Sequence, residues 1–351
     1  MNIVDLITPR ALAAYWEESA SNAIPYLGAA MFPARKQAGL DLSWIKGSNG
    51  LPISLMPTTF DSKATFRDRI GVEKIDTEMP FFREGFKIKE KDRQELLRVQ
   101  NENDPYFTAV MDRIFDDAGN LIAGADVVPE RMRMALLFPE QGNMQIAIRA
   151  NGVDYSYNYD PNGAWKSANY TELTGNDKWD AHSTSDPIKT LNVMRNSQRS
   201  LHGAEPDTVI MNTNTWEHMM ASSAILARIS AIAPTYATDD EVRAVVSKYL
   251  GVNIVVYDKM YRDENKVAHS FVPDGYICFV PMEELGMTNY GTTPEEADLM
   301  GSGAADVVIV NTGVAISRIV EPHPVNVNTF ASEIVLPSFE RMDDVAVAKV
   351  Y

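Results

Sequence analysis

A single cysteine, Cys278, stands among the 351 residues of the chain. It excludes an intrachain disulfide and with it the stapled frameworks of small secreted domains. It lies in the run Tyr276-Ile277-Cys278-Phe279-Val280, where a thiol serves as a small buried apolar group rather than as a nucleophile. Met1 to Arg10 contain acidic Asp5 and no basic stretch leading into a long apolar run, so no secretory signal is expected. No run reaches the roughly 18 consecutive apolar residues that a membrane-spanning helix needs. Together these absences predict a chain that stays in the reducing cytoplasm where it is made and has no membrane partner. Positive charge is scarce as well: 32 Lys and Arg face 48 Asp and Glu, a formal net charge of −16. A field of that sign repels phosphate backbones, so sequence-specific nucleic-acid binding is disfavoured.

Motifs that carry chemistry are missing too. The five histidines, His182, His202, His218, His269 and His323, include no pair at the spacing of one helical face, and no zinc signature occurs. Each reads as a surface or capping residue, with convergence of distant ones in the fold left open. Asp239-Asp240-Glu241 and Glu295-Glu296-Asp298 fall where helix N-termini are expected and favour the macrodipole there. Gly301-Ser302-Gly303 lacks the third glycine and the preceding strand of a dinucleotide loop, and there is no phosphate-binding Gly-Lys-Ser or Gly-Lys-Thr. No Gly-x-Ser-x-Gly elbow appears. Asn169-Tyr170-Thr171 matches a glycosylation acceptor by chance in a chain without a signal peptide. No catalytic, cofactor-binding or metal-ligating residue is nominated, no cofactor is expected, and the chain reads as not an enzyme. A soluble α+β enzyme built on scattered carboxylates is the alternative from a different class.

What is present is an ordinary globular composition, with 45% apolar and 23% charged residues, and a length suited to about two domains. Residues 1–50 predict one helix near Arg10 to Ser19, then an irregular stretch broken by Pro25, Gly28, Pro33, Gly39 and Gly47. Residues 51–89 alternate in short runs such as Thr65-Phe66-Arg67 and Phe86-Lys87-Ile88-Lys89, a long β-excursion with weak burial on both faces. Asp104-Pro105 is a helix start, Asp as N-cap and Pro at the first helical position. Apolar residues then recur at helical spacing from Phe107 to Leu136, about eight turns and roughly 45 Å of rod. Gly119, Gly124 and Pro129 predict a bend or break, most sharply at Pro129.

Ile146 and Ile148, the pair Asn151-Gly152, and then Val153, Tyr155 and Tyr157 spell a hairpin closed by a type I′ turn. Asp186-Pro187 opens another helix, Pro206 to Met211 reads as a buried strand, and helices follow from Thr215 and from Thr238, where Thr238 and Glu241 make a capping box. Strands are expected at Val252 to Tyr257, Gly275 to Val280, Val307 to Val310, Val314 to Ile319, Val325 to Leu336 and Val345 to Val350. The order is α+β and non-alternating, without internal repeats. Neither the N-terminal segment nor the excursion can bury itself, so partners are expected to cover both.

Several collinear stretches resemble the lambda-type major capsid protein of tailed bacteriophages, the capsid protein E family. Asp104-Pro105-Tyr106 resembles the opening of its spine helix, and Trp179 with Asp186-Pro187-Ile188 the start of its second half. Val267 to Gly275, then Leu285-Gly286-Met287-Thr288-Asn289-Tyr290-Gly291, resemble the segment after its hairpin. Thr329 to Val350, with Ala331-Ser332, Leu336-Pro337 and Asp343 to Val347, resembles its closing strands. The resemblance implies the Hong Kong 97 (HK97-like) capsid fold. Residues 1–50 would then be an N-arm, 51–89 the E-loop, 90–185 a peripheral domain with the spine helix, 186–320 an axial domain, and 321–351 C-terminal strands returning to the peripheral domain.

It further implies a homo-oligomer of hexamers and pentamers that forms an icosahedral head shell around packaged DNA. Expected partners are a portal protein and a separate scaffolding protein, with the presence of a decoration protein left open. Asp61, Lys63, Arg67, Asp68, Arg69, Glu73, Lys74, Asp76 and Glu78 in the implied E-loop are the candidate inter-subunit contacts, with a solvated hairpin face as the competing reading. No lysine–asparagine crosslinking pair can be matched. An encapsulin-like compartment, of the same fold, is the structural alternative.

Overall fold

The computed structural model describes residues 8–20, 25–46, 73–90, 94, 105–150, 152–229, 237–303, 305–323 and 325–351. Helix α1 (Pro9–Ala20) begins where Thr8 Oγ1 accepts from the Ala11 amide at 3.2 Å. A single turn, α2 (Gly28–Met31), leads into strands β1 (Ala34–Lys36), β2 (Asp41–Lys46), β3 (Glu73–Glu78) and β4 (Phe81–Ile88). Helix α3 (Pro105–Leu137) carries proline at its first position as expected; its expected cap, Asp104, lies outside the described residues. The predicted break does not occur. α3 runs 33 residues with Pro129 inside it. Proline there removes one backbone bond and crowds the preceding turn, a cost of about 3 kcal/mol. Among the described side chains of the helix the turns beyond it are the most buried, with Met132, Met134, Leu136 and Leu137 at 0–2% exposure, and that packing outweighs the local defect.

The two strands of the expected hairpin pair: β5 (Gln145–Ala150) and β6 (Val153–Asn158) run from Gln145↔Asn158 to Ala150↔Val153, with Gly152 at φ +79°, while Asn151 lies outside the described residues. Helix α4 (Ala164–Asn169) and strand β7 (Tyr170–Glu172) follow. Helix α5 (Pro187–His202) is capped by Asp186 and ends at left-handed Gly203. After buried β8 (Thr208–Met211), helix α6 (Thr213–Met220) starts two residues before the expected Thr215, because Asn212 is the cap and its Oδ1 accepts from the Thr215 amide at 2.9 Å. Helix α7 (Ser223–Ile229) precedes α8 (Asp239–Leu250), which opens with the Thr238–Glu241 capping box. The remaining strands are β9 (Asn253–Val256), the hairpin β10 (Met260–Arg262) and β11 (Ala268–Ser270), β12 (Tyr276–Val280), β13 (Met287–Tyr290), β14 (Asp306–Val310), β15 (Val314–Pro322), β16 (Val325–Ser338) and β17 (Ala346–Lys349).

The chain divides into two compact units. The first comprises Met1–Leu42, Asp76–Met132 and Gly286–Ser338. Its sheet runs β1-β13-β16-β15-β14, with β4 also on β16. The 14-residue β16 organises it: Val325 to Ser332 pair with β15, while Val327 to Ile334 take β4 and Val335 to Ser338 take β13. Ala13 of α1 and Ile122 of α3 close over Val310 and Ile316, joined by half-buried Trp16 and Val308. Here the expectation for the N-terminal segment is corrected. α1 packs on its own chain, and β1 extends the same sheet by pairing in parallel with β13 from Ala34↔Thr288 to Lys36↔Tyr290. The segment is too sparse to make a core but supplies a stripe, including fully buried Leu12, that completes one.

The second unit comprises Ser43–Ile75, Arg133–Leu285 and Phe339–Tyr351. Its mixed sheet runs β7-β17-β12-β8-β9, and Val209, Met211, Ile277, Phe279 and Ala348 from it share a core with Leu191, Trp216 and Val246 from α5, α6 and α8. Cys278 is fully buried between partners Ile210 and Val347, and burial pushes its thiol well above the usual range, as the inert reading requires. The expected boundaries differ from these units at several points, and residues 133–185, expected with the spine helix, fall in the second unit. Residues 286–320 give β13, β14 and β15 to the six-stranded sheet, and β17 leaves the other C-terminal strands to join the five-stranded one.

Asp186 does two jobs in this unit. It caps α5, and its two oxygens receive the Arg228 guanidinium at 3.1 and 2.7 Å. Burial pushes this carboxyl upward, but hydrogen bonds from Arg228 and from the Lys189 amide outweigh it and hold the group below its ordinary value of 3.8. A depressed folded-state pKa contributes stability above the unfolded value and loses it as pH falls through the folded value. Asp186→Ala is expected to cost about 1–2 kcal/mol at pH 7 through the lost cap. Urea unfolding followed by circular dichroism should show the difference from wild type shrinking below the ordinary carboxylate range; an equal difference at pH 7 and pH 3 would contradict the assignment.

Candidate functional site

β2 and β3 form a two-stranded sheet whose side chains alternate as a strand must. Leu42 and Trp44 of β2 are buried while Asp41, Ser43 and Ile45 are exposed. On β3, Lys74, Asp76 and Glu78 are exposed and Ile75 and Thr77 are half-buried. The structure thus brings three of the nine candidate contacts, one basic and two acidic, onto one outward strand face. Glu73 is the first residue of the same strand. Asp61, Lys63, Arg67, Asp68 and Arg69 lie outside the described residues.

Where this excursion returns to the first unit, its fixing residues are ones that sequence reasoning did not nominate. The Met79 amide donates to the Leu40 carbonyl at 2.9 Å, and β4 then pairs along eight residues of β16. On β4, Arg83 pairs with Glu295, and Lys87 reaches Glu321 at 2.9 Å. The Asn326 and Asn328 amides also donate to Glu321, at 3.3 and 2.8 Å. Lys87 first, then the two asparagines, hold the Glu321 carboxyl below its usual range. Lys36 of β1 reaches Glu296 at 2.5 Å. Glu295 and Glu296 sit in the first turn of a π-helical segment (Glu295–Leu299), at a helix N-terminus as expected, and also act as ion-pair partners for two strands. The other acidic cluster sits in the first turn of α8, also as expected. The mixed-charge run Phe86-Lys87-Ile88-Lys89 carried a signal for Lys87, but its partner is more than two hundred residues away.

Of the histidines, His202 Nε2 lies 3.1 Å from Asn169 Oδ1, and His269 Nε2 lies 3.1 Å from Asp263 Oδ2. His182 and His218 meet each other. Among the described residues, no group of three or more His, Cys, Asp and Glu is placed to hold a metal ion, and no helix is long and apolar enough to cross a membrane. The notable chemistry is that of charged strands at a surface, which suits adhesion between protein copies.

The sequence profile described as Phage major capsid protein E matches residues 8–350. The chain belongs to that family. Solved structures agree on the fold. It is similar to the putative capsid protein of a prophage from E. coli CFT073, at 13% identity and a TM-score of 0.60, over 98% of this chain and 99% of that one. It is similar to a phage-related protein from Bordetella bronchiseptica RB50, at 12% identity and 0.57, over 98% and 97%. The cyanophage A-1(L) capsid asymmetric unit aligns at 13% identity and 0.51, over 93% and 92%. No curated protein matches.

This phage capsid protein E family member has the α+β, HK97-like fold that the resemblance implied. It is a structural subunit of a phage head shell, a homo-oligomeric component of the virion capsid. The compartment and enzyme alternatives are not favoured.

Proposed function

We propose that the chain assembles into hexamers and pentamers that close into an icosahedral phage head around packaged DNA. In this reading residues 1–50 are the N-arm and 51–89 the E-loop, the six-stranded sheet with α3 is the peripheral domain, and the five-stranded sheet is the axial domain. The chain has no catalytic task. Assembly takes place in the host cytoplasm on a separate scaffolding protein and a portal protein. The carrying observation is the outward face of β3, where Lys74, Asp76 and Glu78 present one positive and two negative charges at the base of the E-loop. Exposed pairs of this kind contribute at most about 1 kcal/mol each. Repeated by symmetry across a closed shell, such contacts select register and partner without any single strong bond.

Electron microscopy of the purified full chain, alone and with its candidate scaffolding protein, tests the proposal. Closed shells or flat hexameric sheets are expected, and uniform shells from the chain alone would remove the separate scaffold. Joint reversal in Lys74→Glu, Asp76→Lys and Glu78→Lys is expected to reduce shell yield severalfold while circular dichroism of the unassembled subunit stays unchanged. Wild-type yield from that variant would eliminate the β3 face as a contact surface. Only small uniform particles under every condition would overturn the shell reading itself.

A further inference from the structure

Two histidines 36 residues apart meet in the second unit. His182 Nε2 stands 2.9 Å from His218 Nδ1, and the ring centroids are 5.2 Å apart. Both rings line a cavity of about 410 Å³ that Asn214, Glu217, Ala221 and Tyr351 also line. The Tyr351 ring closes one side, 4.5 Å from that of His218. Neither histidine hangs on a loose segment. The His182 amide donates to the Asp180 carbonyl at 3.0 Å, and its own carbonyl accepts from the Ser223 amide at 2.8 Å at the start of α7. His218 sits in the last turn of α6.

At 2.9 Å the two nitrogens share one proton, which one ring donates and the lone pair of the other accepts. Opposed imidazole nitrogens at this spacing are also close to a chelating pair. With Zn–N bonds of about 2.0–2.1 Å, tetrahedral geometry sets ligand nitrogens roughly 3.3 Å apart, so a small tilt of the rings admits an ion. The adjoining cavity has room for the waters that would complete its shell, and Glu217 places a carboxylate on the wall.

We propose that His182 and His218 bind one divalent transition-metal ion of the zinc class, with two protein nitrogens and water as ligands. The site is open and exchangeable, unlike the closed four-ligand sites that hold small domains together. Proton balance is simple. Both facing nitrogens must be unprotonated, so in the neutral pair the shared proton moves to the far nitrogen of its own ring, Nδ1 of His182 or Nε2 of His218, and none is released. A ring that is cationic beforehand gives up one proton to solvent. The bound ion would fasten the segment before α5 to the end of α6.

Calorimetric titration of the full chain with Zn²⁺ provides the test. One ion per chain is expected, with affinity falling about tenfold or more in either His182→Gln or His218→Gln and unchanged in His202→Gln. Zinc binding that is equal in wild type and both variants, or absent from wild type, overturns the proposal. Anomalous scattering from zinc-soaked wild-type crystals needs no variant: a peak between the two rings supports the site, and strong peaks only elsewhere refute it.

Discussion

Trp165→Ala is expected to lower the stability of the second unit by about 3–5 kcal/mol, a large part of the roughly 5–15 kcal/mol that holds a domain folded. Trp165 is 1% exposed, and its indole Nε1 donates to the Met342 carbonyl at 2.7 Å. Its helix is fixed at the N-terminal end by Asp160, whose carboxylate accepts from the Trp165 and Lys166 amides at 3.2 and 3.0 Å. Asn169, at the end of α4, donates to the Asp343 carbonyl at 3.2 Å. α4 therefore braces the turn at residues 342–344, which feeds β17 into the middle of the five-stranded sheet between β12 and β7. Alanine removes the largest fully buried side chain type and leaves a cavity, with the Met342 carbonyl on its wall keeping only its 3.3 Å bond from the Val345 amide. Trp165→Phe keeps most of the apolar contact and removes one of the two hydrogen bonds to that carbonyl, so it should cost about 0.5–1.5 kcal/mol. Urea unfolding of the unassembled protein gives both numbers. An alanine midpoint within error of wild type would mean that the turn holds β17 without the indole.

What the sequence made legible was local. Asp186 before Pro187, Thr238 three residues before Glu241, and alternation across Asn151-Gly152 each specify a structure within a few residues, and each is found where those residues put it. The strands from β8 to β17 that were read from β-branched runs fall within a few residues of their expected bounds. What escaped was set by partners distant in the chain. β13 was quoted only as part of the resembling segment, because Met287-Thr288-Asn289-Tyr290 is a weak strand former. It becomes one by lying between β1, near the start of the chain, and β16, near its end. Pro129 argued for a bend or break, and burial of the following turns overrode the break. The histidine pair was invisible for the same reason, since no spacing rule connects His182 to His218. At the candidate contacts, the run of mixed charge identified a surface strand, and the alternation on β3 decides which side chains face outward.

That same dependence on distant partners underlies the second large effect. Gly291→Val is expected to destabilise the first unit by about 1–3 kcal/mol or more. A Cβ at Gly291 would stand 2.7 Å from Ile334 Cγ2, 2.8 Å from the Gly39 carbonyl oxygen and 3.0 Å from Met79 Cε. The methionine can swing aside, but the Gly39 oxygen is backbone. The Gly291 amide is meanwhile held to the Ile334 carbonyl at 2.8 Å, so residue 291 cannot retreat without breaking the sheet. The three neighbours come from the N-terminal segment, the junction of β3 with β4, and β16, which meet at this one point. Prising them apart should loosen the base from which the proposed N-arm and E-loop extend, so shell yield should fall together with the urea midpoint. Gly124 of α3 supplies the internal control, because a Cβ there meets nothing within 4 Å. Gly124→Ala should stabilise by up to about 1 kcal/mol through helix propensity alone. Opposite signs at the two glycines would establish that occupied space, and not loss of glycine as such, sets the effect; a Gly291→Val midpoint equal to wild type would mean that the three segments are not packed together there.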